Sequence, residues 1–151
     1  MFKNRIDFKK ILLSLLSFLS LMILLFFCFS FVSCSKTLSV EEIKIKDIVD
    51  PMTENYFVSI NNEDYGKFSK DFDDGMKNAA TKDNFNQLVS PVKDGLGDYI
   101  PNSIKLVTIA SEKGFTAAYY DADFSKKSNV KIKMVFSKIN DEYKISGQWF
   151  Q

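Results

Sequence analysis

The stretch Phe115–Phe150, FTAAYYDADFSKKSNVKIKMVFSKINDEYKISGQWF, decides the fold. Within it Val130, Ile132, Met134 and Phe136 alternate with Lys131, Lys133, Val135 and Ser137, so a strand there has one apolar and one mostly polar face. The same period of two runs through Thr116, Ala118, Tyr120, Ala122 and Phe124 upstream, and through Tyr143, Ile145, Gly147 and Trp149 downstream. Hairpin register ties these faces together, because it sets which residues stand opposite each other. A loop centred on Lys127 pairs Phe124 with Val130, Ala122 with Ile132, Tyr120 with Met134 and Ala118 with Phe136. The other face then sets Asp123 opposite Lys131 and Asp121 opposite Lys133. A two-residue turn at Asn140-Asp141 pairs Phe136 with Ile145, Met134 with Gly147 and Ile132 with Trp149. A turn at Lys113-Gly114 adds Val107 and Ile109 to the same face, from a strand that starts near Ile104. Four antiparallel strands thus share one apolar face that needs a cover.

The cover lies upstream. Asp50-Pro51 reads as a helix start, with an acidic cap and Pro at the first helical position, and this helix runs to Ile60 and buries Met52, Tyr56, Phe57 and Ile60. After a break at Asn61-Asn62, Tyr65, Phe68, Phe72 and Met76 recur at helical spacing and predict a second helix. A third, capped by Thr81, carries Phe85, Leu88, Val89 and Val92, with Pro91 kinking or ending it and Gly95 and Gly97 at its exit. The fold class is α+β: three N-terminal helices packed on a curved four-stranded antiparallel sheet.

Before the domain lies a leader. Ile11 to Ser33 contain no charged residue, and Met1 to Lys10 carry Lys3, Arg5, Lys9 and Lys10 against Asp7. A basic start and an apolar run are the layout of an export signal. Phe31-Val32-Ser33-Cys34 resembles the lipobox of bacterial lipoproteins, where a small residue precedes a lipid-bearing Cys; Phe31 stands where Leu is usual. The other reading is an uncleaved transmembrane helix, since the run spans about 35 Å as a helix against a hydrocarbon core of about 30 Å. Either reading puts the residues after Cys34 outside the cytoplasm, because the basic end stays inside. The expected organisation is 1–33 as signal peptide or anchor, 34–49 as a tether with a short helical turn capped by Ser39, and 50–151 as the α+β domain.

Beyond residue 33 the chain holds 16 Lys+Arg and 18 Asp+Glu, a formal charge of −2, with no basic run interleaved with aromatics. Nucleic acid is therefore not an expected partner. The chain has no His, and its two Cys are Cys28 in the apolar run and Cys34. The commonest general base and metal ligand are absent, and one remaining thiol makes neither an internal disulfide nor a zinc cage. No phosphate loop, metal cluster or nucleophile–base pair is present in the sequence, and no cofactor is implied.

Asn62-Glu63-Asp64-Tyr65, Phe72-Asp73, Met76-Lys77 and Gly97 with Tyr99, together with the ending Tyr143-Lys144-Ile145-Ser146-Gly147, resemble the domain-of-unknown-function family 3887 over about Asp50 to Gln151. The resemblance implies a cone-shaped fold similar to nuclear transport factor 2, and members that are exported lipoproteins or precede a hydrolase; the 151 residues hold no such hydrolase. It carries over no catalytic residue. Folds of this type hold small molecules in a cup between sheet and helices, for which Val107, Tyr120, Met134 and Trp149 are the candidate lining, with plain core as the alternative. Asp121 and Asp123 are candidate acids or cation ligands, but their register sends them to the outer face beside lysines. Asp73-Asp74 project in different directions and read as solvated or capping residues.

Three functions follow as expectations. The first is a non-catalytic, membrane-tethered extracytoplasmic module, lipidated at Cys34, that binds a partner protein or small ligand. The second is a small-molecule enzyme of the cup-shaped superfamily with a buried acid and a Tyr donor. The third is a homodimer that presses outer sheet faces together through Val135 and Phe150.

Overall fold

The computed structural model describes residues 38–151. The apolar run and Cys34 lie outside the described residues. Helices α1 (Val40–Asn61), α2 (Tyr65–Phe68), α3 (Asp74–Ala79) and α4 (Phe85–Leu96) precede strands β1 (Lys105–Glu112), β2 (Phe115–Ala122), β3 (Val130–Ile139) and β4 (Glu142–Phe150). The sheet is antiparallel in the order β1-β2-β3-β4, and the helices pack on its apolar face.

α1 corrects the expected tether. Ser39 Oγ accepts the Glu42 N–H at 3.2 Å and the Glu42 carboxylate accepts the Ser39 N–H at 2.7 Å, a reciprocal cap. The helix that starts there runs on for 22 residues, straight through Asp50-Pro51. Pro51 has no N–H to give the Asp47 carbonyl, and Asp47 and Pro51 are both exposed, where solvent can reach the break. Asp50 is not a cap; its carboxylate meets Lys46 at 2.6 Å and accepts the Tyr120 hydroxyl at 2.9 Å. Val49, Thr53, Tyr56, Phe57 and Ile60 form the buried stripe of α1.

The expected second helix is two short ones. Asp64 caps α2 through the Lys67 N–H, and Asp73 caps α3 through the Met76 N–H. Between them Phe72 bridges the edge of β4: the Asp73 N–H donates to the Ile145 carbonyl and the Ile145 N–H to the Asp71 carbonyl. Pairing with a sheet edge straightens the chain there, while Phe68 and Phe72 still reach the core. α4 starts after Asn84 rather than Thr81, contains Pro91 without ending, and leaves Leu88 exposed.

The faces of β2 and β3 are as expected, those of β1 and β4 are as expected only in part, and the registers differ in three places. Ala122 pairs with Val130, Tyr120 with Ile132, Ala118 with Met134 and Thr116 with Phe136, two residues off the expected pairing. The shift is even, so parity survives. It arises because the backbone of Phe124 is engaged by Tyr99, with the Ile100 N–H donating to the Asp123 carbonyl and the Ser125 N–H to the Asp98 carbonyl. Asp121 therefore faces Lys131 at 2.6 Å, and Asp123 leaves the ladder to accept the Asn129 N–H.

The other two differences are bulges. The Lys113-Gly114 turn forms, but register shifts between Leu106 and Thr108, so Leu106 opposes Tyr120 and Val107 is displaced. The Asn140-Asp141 turn also forms and pairs Phe136 with Ile145. Then Ser146 is the extra residue, Val135 opposes Gly147, and every later side chain of β4 changes face. Trp149 goes to the outer face, and Phe150 turns inward to Phe57 at 6.2 Å and Phe124 at 6.1 Å.

Candidate functional site on the outer sheet face

The expected cup is occupied by its own side chains. Tyr120 and Met134 lie at the centre of the sheet's inner face with exposures of 1% and 0%, packed in one cluster with Phe57 and Tyr99. The Tyr120 hydroxyl donates to Asp50, and the Tyr99 hydroxyl donates to Glu54 at 2.5 Å. Burial first, and the neighbouring carboxylate second, raise both phenols above their ordinary range, so they stay protonated as structural donors. Val107 and Trp149 are not part of this interior: each is 52% exposed, moved out by the two bulges.

The open space lies on the other face. A broad depression of about 960 Å³ runs across the sheet from the start of α3 to the β1–β2 turn. Its apolar lining includes Val135, Trp149 and Phe115, the last being 43% exposed at the turn. Trp149 leans back over Gly147, where a Cβ would come within 2.3 Å of the indole. Gly147 is thus the one residue type that lets the ring lie against the strand.

Each end of the depression carries a carboxylate that is already satisfied. At the turn end, Glu112 accepts the Tyr119 hydroxyl at 2.6 Å and pairs with Lys133 at 2.6 Å, and the Lys133 ammonium stands 5.4 Å from the Tyr119 ring centre. Lys133, then Tyr119, hold Glu112 below its ordinary pKa, and Glu112 in turn raises Lys133. At the helix end Asp73 accepts the Met76 N–H and the Ser137 and Ser146 hydroxyls. Partial burial pushes the Asp73 pKa up, but these hydrogen bonds outweigh it and the net shift is downward. Both acids are ionised fixtures that position their neighbours. Among the described residues no group of His, Cys, Asp and Glu could hold a metal ion.

The sequence reading missed Glu112, Phe115 and Asp73 as parts of one surface, and put Trp149 on the wrong side. The available signal was Ser146-Gly147, since a glycine inside a strand often marks a bulge or a close approach. Val107 and Tyr120, two of the four expected lining residues, border one small hollow of about 230 Å³ together with Thr108, Lys131 and Ile132, while Met134 and Trp149 do not line it.

The fold is that of a small α+β domain with a filled interior and an open outer sheet face. The chain belongs to the family described as "Protein of unknown function (DUF3887)", which it matches over residues 53–147. Of the residues that carry the resemblance, Asp64 and Asp73 start helices, and the Tyr99 backbone is clasped on both sides by the Asn61 side chain at 2.7 and 2.8 Å. The matched span stops before Trp149 and Phe150. No curated protein matches the chain.

Proposed function

We propose that this chain is a membrane-tethered, extracytoplasmic accessory domain that binds a partner protein or small ligand without transforming it. The tether is the basic, apolar leader ending at Cys34, with the lipid on the Cys34 thiol. The observation that carries the binding reading is the depression of about 960 Å³, lined in part by half-exposed Trp149, set against an inner sheet face on which Tyr120 and Met134 are 1% and 0% exposed. The enzyme reading needs an acid raised by an apolar pocket; Asp73 and Glu112, the acids of the open face, are both lowered.

The tether is tested with Cys34→Ser in cells fed a labelled fatty acid. Wild type takes up label and sediments with membranes, and the variant loses the label and accumulates as precursor. Unchanged size and membrane retention in the variant would replace the lipid by a spanning helix, and unmodified wild type in the soluble lysate would overturn the tether altogether.

A further inference from the structure

We propose that the outer-face depression is a carbohydrate site that takes a neutral oligosaccharide, one sugar ring stacking on Trp149 and its hydroxyls bonding to the polar groups at the two ends. This names the ligand class of the binding reading above and rests on it.

The depression lies open between the α3 start and the β1–β2 turn, with Val135, Trp149 and Phe115 as apolar lining and Asp73, Glu112, Lys133 and Ser146 as polar lining.

The chemistry of the walls then selects the guest. Trp149 is the lone tryptophan of the chain, half-exposed and backed by Gly147. An indole face is electron-rich and attracts the weakly positive C–H groups on one side of a pyranose ring. Around it stand groups suited to hydroxyls: the Lys133 ammonium, which has N–H donors beyond the one given to Glu112, and the Ser146 hydroxyl held on Asp73. An acyl chain would leave these polar ends facing hydrocarbon. A strongly charged sugar gains little, because Lys133 is already neutralised by Glu112 at 2.6 Å.

The test uses the full chain in phosphatidylcholine nanodiscs, with emission from Trp149 as the reporter. It is titrated with neutral tetrasaccharides of glucose and of N-acetylglucosamine, with an oligogalacturonate, and with hexanoate as the acyl probe. A saturable emission change is expected for at least one neutral tetrasaccharide, half-complete at about 1 mM, as suits a shallow site. Lys133→Ala should weaken it about tenfold, and Lys131→Ala, whose partner is Asp121 outside the depression, should leave it unchanged. Neutral sugars without effect up to roughly 20 mM, or equal weakening by both lysine variants, would overturn the assignment. A response to hexanoate alone would reject the sugar while keeping the binding reading, and the Cys34→Ser experiment judges the tether independently.

Discussion

Replacing Trp149 and Phe150 one at a time by Ala tests the bulge that turns β4 over. Trp149 is 52% exposed and rests on Gly147, so truncation uncovers strand and leaves no closed cavity. About half of a large aromatic surface at ~25 cal/mol per Å² gives a loss of about 2 kcal/mol. Phe150 is 37% exposed and touches the rings of Phe57 and Phe124. It loses more of its own area, and two ring contacts each worth about 1 kcal/mol, so Phe150→Ala should cost about 3–4 kcal/mol. Urea unfolding followed by circular dichroism gives both values on one scale. Iodide should quench Trp149 in the native protein nearly as well as in the unfolded chain. If Trp149→Ala is the costlier change, or its emission is shielded from iodide, the regular alternation that puts Trp149 in the core is right and the bulge is wrong.

Two further outcomes are expected. Asp73 is ionised below the ordinary carboxylate range, so its contribution is complete above the unfolded pKa near ~3.9 and lost as pH falls through the lower folded value. Asp73→Ala should therefore cost about 1–2 kcal/mol at neutral pH through the lost cap, and the gap to wild type should close in urea titrations below about pH 4; a gap independent of pH would refute this. Gly114 has φ +87° with open space where a Cβ would go, so Gly114→Ala should cost about 1 kcal/mol from backbone conformation alone. A neutral effect on thermal unfolding would show that the turn relaxes.

Much of the architecture was legible because side-chain alternation is local. Val130, Ile132, Met134 and Phe136 must share a face in any extended chain, and Lys113-Gly114 and Asn140-Asp141 adopt the left-handed backbone that two-residue turns need. The Ser39–Glu42 box also announced a helix start, although the end of that helix was misplaced. A sharp local signal at Asp50-Pro51 suggested a new start there, but the buried stripe from Val49 to Ile60, packed on the sheet, carries α1 past the proline.

The outer site was illegible for a different reason. Its parts come from the start of α3, the β1–β2 turn and the end of β4, which only the folded chain brings together. One extra residue at Ser146 exchanged Trp149 for Phe150, and within β4 only the glycine at 147 hints at that step. It is set where Asp73 of another segment takes the Ser146 hydroxyl and Phe72 pairs with Ile145. By itself, then, the sequence determined the class of fold, two of the turns, the apolar faces of β2 and β3 and the greasy leader, all of which depend on neighbours along the chain. Register, bulges and the open aromatic face were decided by the tertiary structure, because they follow from which distant backbone groups find each other as partners.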